Sequence, residues 1–274
     1  MILDDITTSL WPYPKPEPSS RFSQQDTEEK FKENLAKLGP TWHYATKEVY
    51  YERNSLGYRT KELDYFKGKD FALVLGASAT EGIGLAEDEI WHAEIKRQFG
   101  WEILNAGFTG AGPDIQLMNT MLFLRTQELC PKAVVIQWPH LSRFMFKGDS
   151  LKRLLVPNLN QTFTGIKGDS IWERFSRSQR VLENFYKYWL YDNNDLNNSN
   201  IYVEVTRLMW TLANVPYYDF TMNIDDSENI GQWIDDLRKV IEPVGPQARD
   251  LQHDGPEFNL EMGKIICNKI RSML

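Results

Sequence analysis

The rhythm of apolar and polar positions changes at residue 70. Before it, hydrophobic residues are scattered among prolines, charges and turn formers. After it, short apolar runs alternate with longer stretches whose apolar positions recur every three or four residues. The runs at 71–75, 102–105, 133–137 and 215–220 have the length of buried strands, and 49–51 reads as a further short one. The stretches at 27–38, 87–99, 113–129, 171–191, 201–214, 231–241 and 260–273 predict helices, with Pro113 suited to a first helical position. A polar tract, DNNDLNNSN at 192–200, separates two of them. Alternating strands and helices with short connections predict an α/β fold: a mostly parallel sheet covered on both faces, three layers in α/β/α order. Residues 1–69 then form an N-terminal extension packing on the core, and 70–274 form the α/β domain, with an insertion near 145–200. WPYPKPEP at 11–18 has a proline at every second position and predicts an extended, polyproline-like arm.

The most informative stretch is FALVLGASATEGIG at 71–84. A buried strand empties into a glycine-bearing turn, and a helix with an acidic first turn follows. Open α/β sheets expose ligand-handling groups at the carboxyl ends of their strands. Ser78 stands at that place, as a nucleophile, a phosphate ligand or a turn residue.

Charge and composition narrow the classes. The net charge is −7, and neither a nucleic acid nor an anionic membrane is the expected partner of a chain without a basic footprint. Two cysteines, Cys130 and Cys267, are too few for a disulfide framework and read as buried free thiols. No run of eighteen apolar residues is present, and MILDDITTSL lacks the pattern of a secretory leader, so the expected location is the cytoplasm. No cluster of His, Cys, Asp and Glu has metal-ligand spacing, so neither metal nor cofactor is expected.

If Ser78 is activated by a general base, the candidates are four histidines: His43, His92, His140 and His253. His253 differs from the others because Asp250 precedes it by three residues in RDLQHDGPEFN, ahead of the final helix. That spacing lets a carboxylate hold the imidazole in one tautomer.

A serine after the first strand together with Asp-x-x-His before the last helix resembles the SGNH hydrolases, also called the GDSL esterase/lipase family. YERNSLGYRTKEL followed by FALVLGASATEGIGL is similar to the family's first block and its approach. ILNAGFTGAGP is similar to the second, and DGPEFNLEMGKII to its closing turn and helix. The resemblance runs from about residue 50 to the C-terminus and leaves the long middle region unmatched. It implies a flavodoxin-like α/β/α fold. It also implies a Ser78–His253–Asp250 triad, with the backbone N–H groups of Ser78 and Gly110 holding the oxyanion. Two departures stand out. Gly76-Ala77-Ser78 replaces the usual Gly-Asp-Ser, whose aspartate is a supporting residue. The third block normally carries Gly-x-Asn-Asp, its asparagine donating to the oxyanion, and here the third strand runs into QWPHLSRF with no asparagine. His140, Ser142 and Arg143 stand nearby; His140 can donate to the oxyanion, and Arg143 can hold an anionic substrate. The literal Gly-Asp-Ser triplets at 148–150 and 168–170 follow no buried strand and read as turns.

Three functions are compatible with these residues. The first is hydrolysis of a carboxylic ester, such as an acyl group on a carbohydrate or small molecule, or acyl transfer by the same chemistry. The second is a non-catalytic binding protein of the same fold. The third is a mononucleotide binder whose 76–84 loop cradles phosphate, a role that Glu81 and the acidic turn at 87–89 oppose. Oligomeric state is left open.

Overall fold

Every residue of Phe71–Gly76 (β1) is buried, as a central strand covered on both faces must be. The computed structural model describes residues 18–126, 129–139, 143, 194–222, 234–241 and 245–274. There β1 is flanked by β2 (Glu102–Gly107) and β3 (Ala133–Trp138), followed outward by β4 (Tyr217–Thr221) and β5 (Asp235–Asp236). All four pairings are parallel, and the order is β2-β1-β3-β4-β5. This is the flavodoxin-like order, in which the chain reverses its direction of winding between β1 and β3 and opens a crevice at their carboxyl ends.

Seven helices accompany the sheet among the described residues: α1 (Glu28–Leu38), α2 (His43–Thr46), α3 (Ser78–Glu81), α4 (Ala93–Phe99), α5 (Pro113–Thr126), α6 (Asn194–Leu212) and α7 (Pro256–Met273). Side chains alternate across each strand, so two separate cores form. Ala72, Val74, Val135 and Phe220 point to the layer of α4 and α7, where Ile95, Met262 and Ile266 meet them. Leu73, Leu75, Val134 and Ile136 point to the layer of α5 and α6, against Ile115, Phe123, Val203 and Trp210. The fold is therefore a three-layer α/β/α sandwich around an all-parallel sheet.

Several elements depart from the sequence reading. The helix expected over 87–99 is broken: Glu87–Glu89 form a 3-10 turn, Ile90 is extended, and α4 starts at Ala93. Ile90, Trp91 and His92 are all buried, a run of three that would spread over more than half of a helix's circumference, and the Trp91 backbone N–H donates to Asn259 Oδ1 (3.3 Å). The polar tract 192–200 is not a spacer ahead of the helix expected from 201, because α6 begins inside it at Asn194. Ser199, Val203, Thr206 and Trp210 are buried at helical spacing and carry the inward stripe back into the asparagines. Of the helix expected over 231–241, residues 231–233 lie outside the described residues, and the rest is β5 and a 3-10 turn, Leu237–Lys239. Leu237 and Ile241, buried four apart, supplied the helical signal, and a single turn closed by Ile241 N–H to Leu237 O (2.9 Å) satisfies it. The strand expected at 49–51 reduces to one antiparallel bridge, Ser20 with Tyr51. Cys267 is buried, but Cys130 is exposed, since Leu129 takes the inward position before β3. The helix expected over 171–191, the proline-rich arm up to Glu17 and both literal Gly-Asp-Ser triplets lie outside the described residues.

His92, just ahead of α4, is 3% exposed and lies beside Asn105 at the end of β2, Nε2 to Nδ2 3.1 Å. Burial, aided by the nearby Arg59 charge, pushes its imidazole down from 6.5 to about 3. The unfolded chain therefore gains a proton below pH ~6.5 that the folded chain refuses, so stability falls as pH drops from there toward the folded value. The expected contribution is about 2 kcal/mol less stability at pH 5 than at pH 7. Urea midpoints at the two pH values, for wild type and His92→Gln, test this. The variant should lose that part of the pH slope, and an unchanged slope would contradict the assignment.

Candidate active site

β1 ends at Gly76, and after Ala77 the chain turns into α3, whose first residue is Ser78. The turn is tight enough that a Cβ on Gly76 would come within 2.0 Å of Thr80 Oγ1. At the other end of the chain, residues 248–253 fold back on themselves. Ala248 N–H donates to His253 O (3.0 Å) and Leu251 N–H to Ala248 O (2.9 Å), with Leu251 in the left-handed region (φ +54°). Asp250 Oδ1 accepts the N–H groups of Gln252 (3.1 Å) and His253 (3.2 Å). Its other oxygen accepts from His253 Nδ1 at 2.7 Å, and Ser78 Oγ donates to His253 Nε2 at 2.8 Å. Residues 175 positions apart are thus linked in one Ser–His–Asp chain of hydrogen bonds.

The Asp250 side chain is fully buried. Burial pushes its carboxyl up, but the hydrogen bond and charge of His253 and the two backbone N–H groups outweigh it, holding the group below the usual carboxylate range. It is therefore ionised at neutral pH and can stabilise a positive imidazole beside it. The sign follows for stability as well: this contribution is complete above about pH 4, the unfolded carboxylate value, and fades as pH falls toward the lower folded one.

The loop is anchored at both ends. Before it, Arg249 places Nε 3.0 Å from both oxygens of buried Asp26 and Nη2 2.6 Å from one of them. Tyr51 OH donates to the same carboxylate (2.6 Å) and accepts from Gly84 N–H (2.8 Å). Arg249 N–H donates to Gly84 O (2.9 Å), so residues near the N-terminus, the loop after Ser78 and the histidine loop share one buried junction. After it, Asn259 on α7 donates to the carbonyls of Asp254 (3.0 Å) and Gly255 (2.9 Å).

A second set of buried polar groups joins α3 to β2 and its following loop. Asn105 Nδ2 donates to Thr80 O (3.1 Å), and its Oδ1 accepts from Gly107 N–H (2.9 Å). Glu81, wholly buried, accepts from Thr109 N–H (2.8 Å) and Thr109 Oγ1 (2.5 Å) and is ion-paired with Arg53 (2.8 Å). Gly110 follows in the turn Phe108–Ala111 with φ +82°, a backbone shape that suits glycine. It is not among the described residues lining the cavity at Ser78. Arg143 does line that cavity, its carbonyl lying against Gly112. His140 and Ser142 lie outside the described residues.

The cavity has a volume of about 260 Å³, with Ser78, His253, Gln137, Trp138, Met222 and Met262 on its walls. A larger one, about 780 Å³, lies between residues 47–66 and 86–105, away from Ser78. Its rim cations are matched by neighbours, Lys47 by Asp88, Lys61 by Glu52 and Lys96 by Glu102, and neither a serine nor a cysteine is among the described residues that line it. Chemistry by the serine belongs to the smaller cavity. Sequence reasoning missed Asp26, whose partner Arg249 is distant in the chain; Asn105 and Asn259 stood in quoted motifs without a role, and Glu81 was read only as a charge opposing phosphate.

No family model matches the chain, and no curated protein matches it. Solved structures do. One is named as a lipolytic protein of the G-D-S-L family from Desulfitobacterium hafniense DCB-2, with 13% identity over 72% of this chain and 98% of that one and a TM-score of 0.34. A second is named as an acylhydrolase from Bacteroides fragilis NCTC 9343, with 14% identity over 75% and 88% and a TM-score of 0.32. A third is named as a gut microbial diltiazem-metabolizing enzyme, with 12% identity over 75% of this chain and 48% of that one and a TM-score of 0.31.

Proposed function

We propose that this chain is a serine-dependent hydrolase of carboxylic esters, acting on an acyl group carried by a carbohydrate or small molecule. The reading rests on one observation, the two hydrogen bonds of 2.8 and 2.7 Å that connect Ser78, His253 and the buried Asp250. Ser78 Oγ attacks the ester carbonyl while its proton passes to His253 Nε2, and Asp250 steadies the resulting imidazolium. The proton then goes to the departing alcohol, leaving an acyl group on Ser78. Water, deprotonated by the same imidazole, attacks that acyl carbon and releases the acid; an alcohol in its place would make the reaction an acyl transfer. The N–H groups of Ser78 and Gly110 are the backbone donors assigned to the oxyanion, and His140 and Arg143 the neighbouring side chains.

The mononucleotide alternative loses support from the loop itself. Ser78 gives its hydroxyl to His253 and Thr80 gives its own to Gln137, so neither faces an incoming phosphate. A non-catalytic role is favoured only by the absent third-block asparagine. Hydrolysis of p-nitrophenyl esters from acetate to octanoate tests the proposal, with turnover above the buffer rate expected for at least the shortest. An inert protein that a serine-directed probe also leaves unlabelled would overturn it.

A further inference from the structure

The third strand ends at the crevice between β1 and β3 without the asparagine expected to complete an oxyanion site. It does carry another carboxamide. Gln137 is the next-to-last residue of β3, 5% exposed, and lines the same cavity as Ser78 and His253. Strand alternation turns it to the side of Val135, the layer of α4 and α7, from which the His253 loop also comes. Its Oε1 accepts the hydroxyl proton of Thr80, two residues after Ser78, at 2.5 Å. With the oxygen end fixed on α3, the amide nitrogen keeps both of its protons, and it has no hydrogen-bond partner among the described residues. Because Gln137 lines the cavity with Ser78 and His253, a substrate oxygen entering there can supply that nitrogen with an acceptor.

We propose that Gln137 is the side-chain oxyanion donor of this site, held in place by Thr80 and supplying the N–H that the absent asparagine would have given. The assignment rests on the ester-hydrolase reading. Gln137 touches the reacting oxygen, whereas Thr80 is a positioning residue: its hydroxyl orients the amide so that nitrogen, not oxygen, meets the developing negative charge. The same hydrogen bond ties the donor to the segment that carries the nucleophile, so the two keep a fixed separation.

Two near-isosteric variants test this. Gln137→Glu keeps an oxygen for Thr80 but replaces the donor with a charged acceptor, and Gln137→Met removes the donor without adding charge. Both should lower kcat for p-nitrophenyl acetate by about 10²–10³ while KM changes less than about threefold, the split that marks a contact made in the transition state. A short alkylboronic acid, which forms a tetrahedral adduct on the serine, should bind Gln137→Met more weakly by a similar factor. A role confined to packing would move melting temperature but not this split. If wild type is active and folded Gln137→Met keeps kcat within about threefold, the assignment falls and the ester-hydrolase reading stands. If wild type is inert and unlabelled at Ser78, both fall together.

Discussion

Replacing Ser78 by alanine should abolish ester hydrolysis while leaving the fold intact. Only one atom is removed, at a half-buried position, and its recorded side-chain hydrogen bond is the one to His253. The loss in kcat should be on the order of 10⁴–10⁶, because a residual rate from the oxyanion donors and binding alone is all that remains. His253→Ala should fall to the same level, and the double variant no lower, since the two groups act as a unit. Matched melting curves separate this from unfolding. If Ser78→Ala kept more than about a tenth of wild-type turnover, the serine would not be the nucleophile.

The second large effect concerns stability, at a residue 224 positions from Asp250. Asp26→Ala should destabilise the protein by about 3–5 kcal/mol, because it leaves the Arg249 guanidinium buried without its counter-charge. Asp26 is 0% and Arg249 4% exposed. A surface pair at the same separation gives the contrast. Arg21 and Glu48 also lie 2.6 Å apart, but their side chains are 67% and 60% exposed, and Glu48→Ala should cost no more than about 1 kcal/mol. Because Arg249 directly precedes Asp250, Asp26→Ala should also lower kcat in whatever fraction stays folded. Urea unfolding of both variants checks the energies; equal costs at the two sites would show that burial does not set the strength of the Asp26–Arg249 pair.

Much of this arrangement was legible in the chain because it is local. The apolar runs at 71–75, 102–105 and 133–137 lie within β1, β2 and β3, and Pro113 opens α5 as its type requires. Ser78 was visible by its place after a strand, and Asp250 and His253 by their spacing. What escaped depends on partners far away in sequence. Asp26 reads as one acid among many until Arg249 closes on it, and Glu81 reads as a repulsive charge until Arg53 and Thr109 surround it. Gln137 looks like a polar residue ending an apolar run, and only the β1–β3 register brings it beside Thr80. Local pattern also misled where tertiary contacts overrode it, in the break at Ile90–His92 and in the asparagine-rich start of α6.

The most direct test of the central claim is covalent. Wild-type protein treated with a fluorophosphonate and examined by intact mass and peptide mapping should gain one adduct, on Ser78, at a rate that falls by at least about a hundredfold in His253→Ala. Labelling elsewhere, or none on wild type together with no ester turnover, would contradict a Ser78–His253–Asp250 hydrolase.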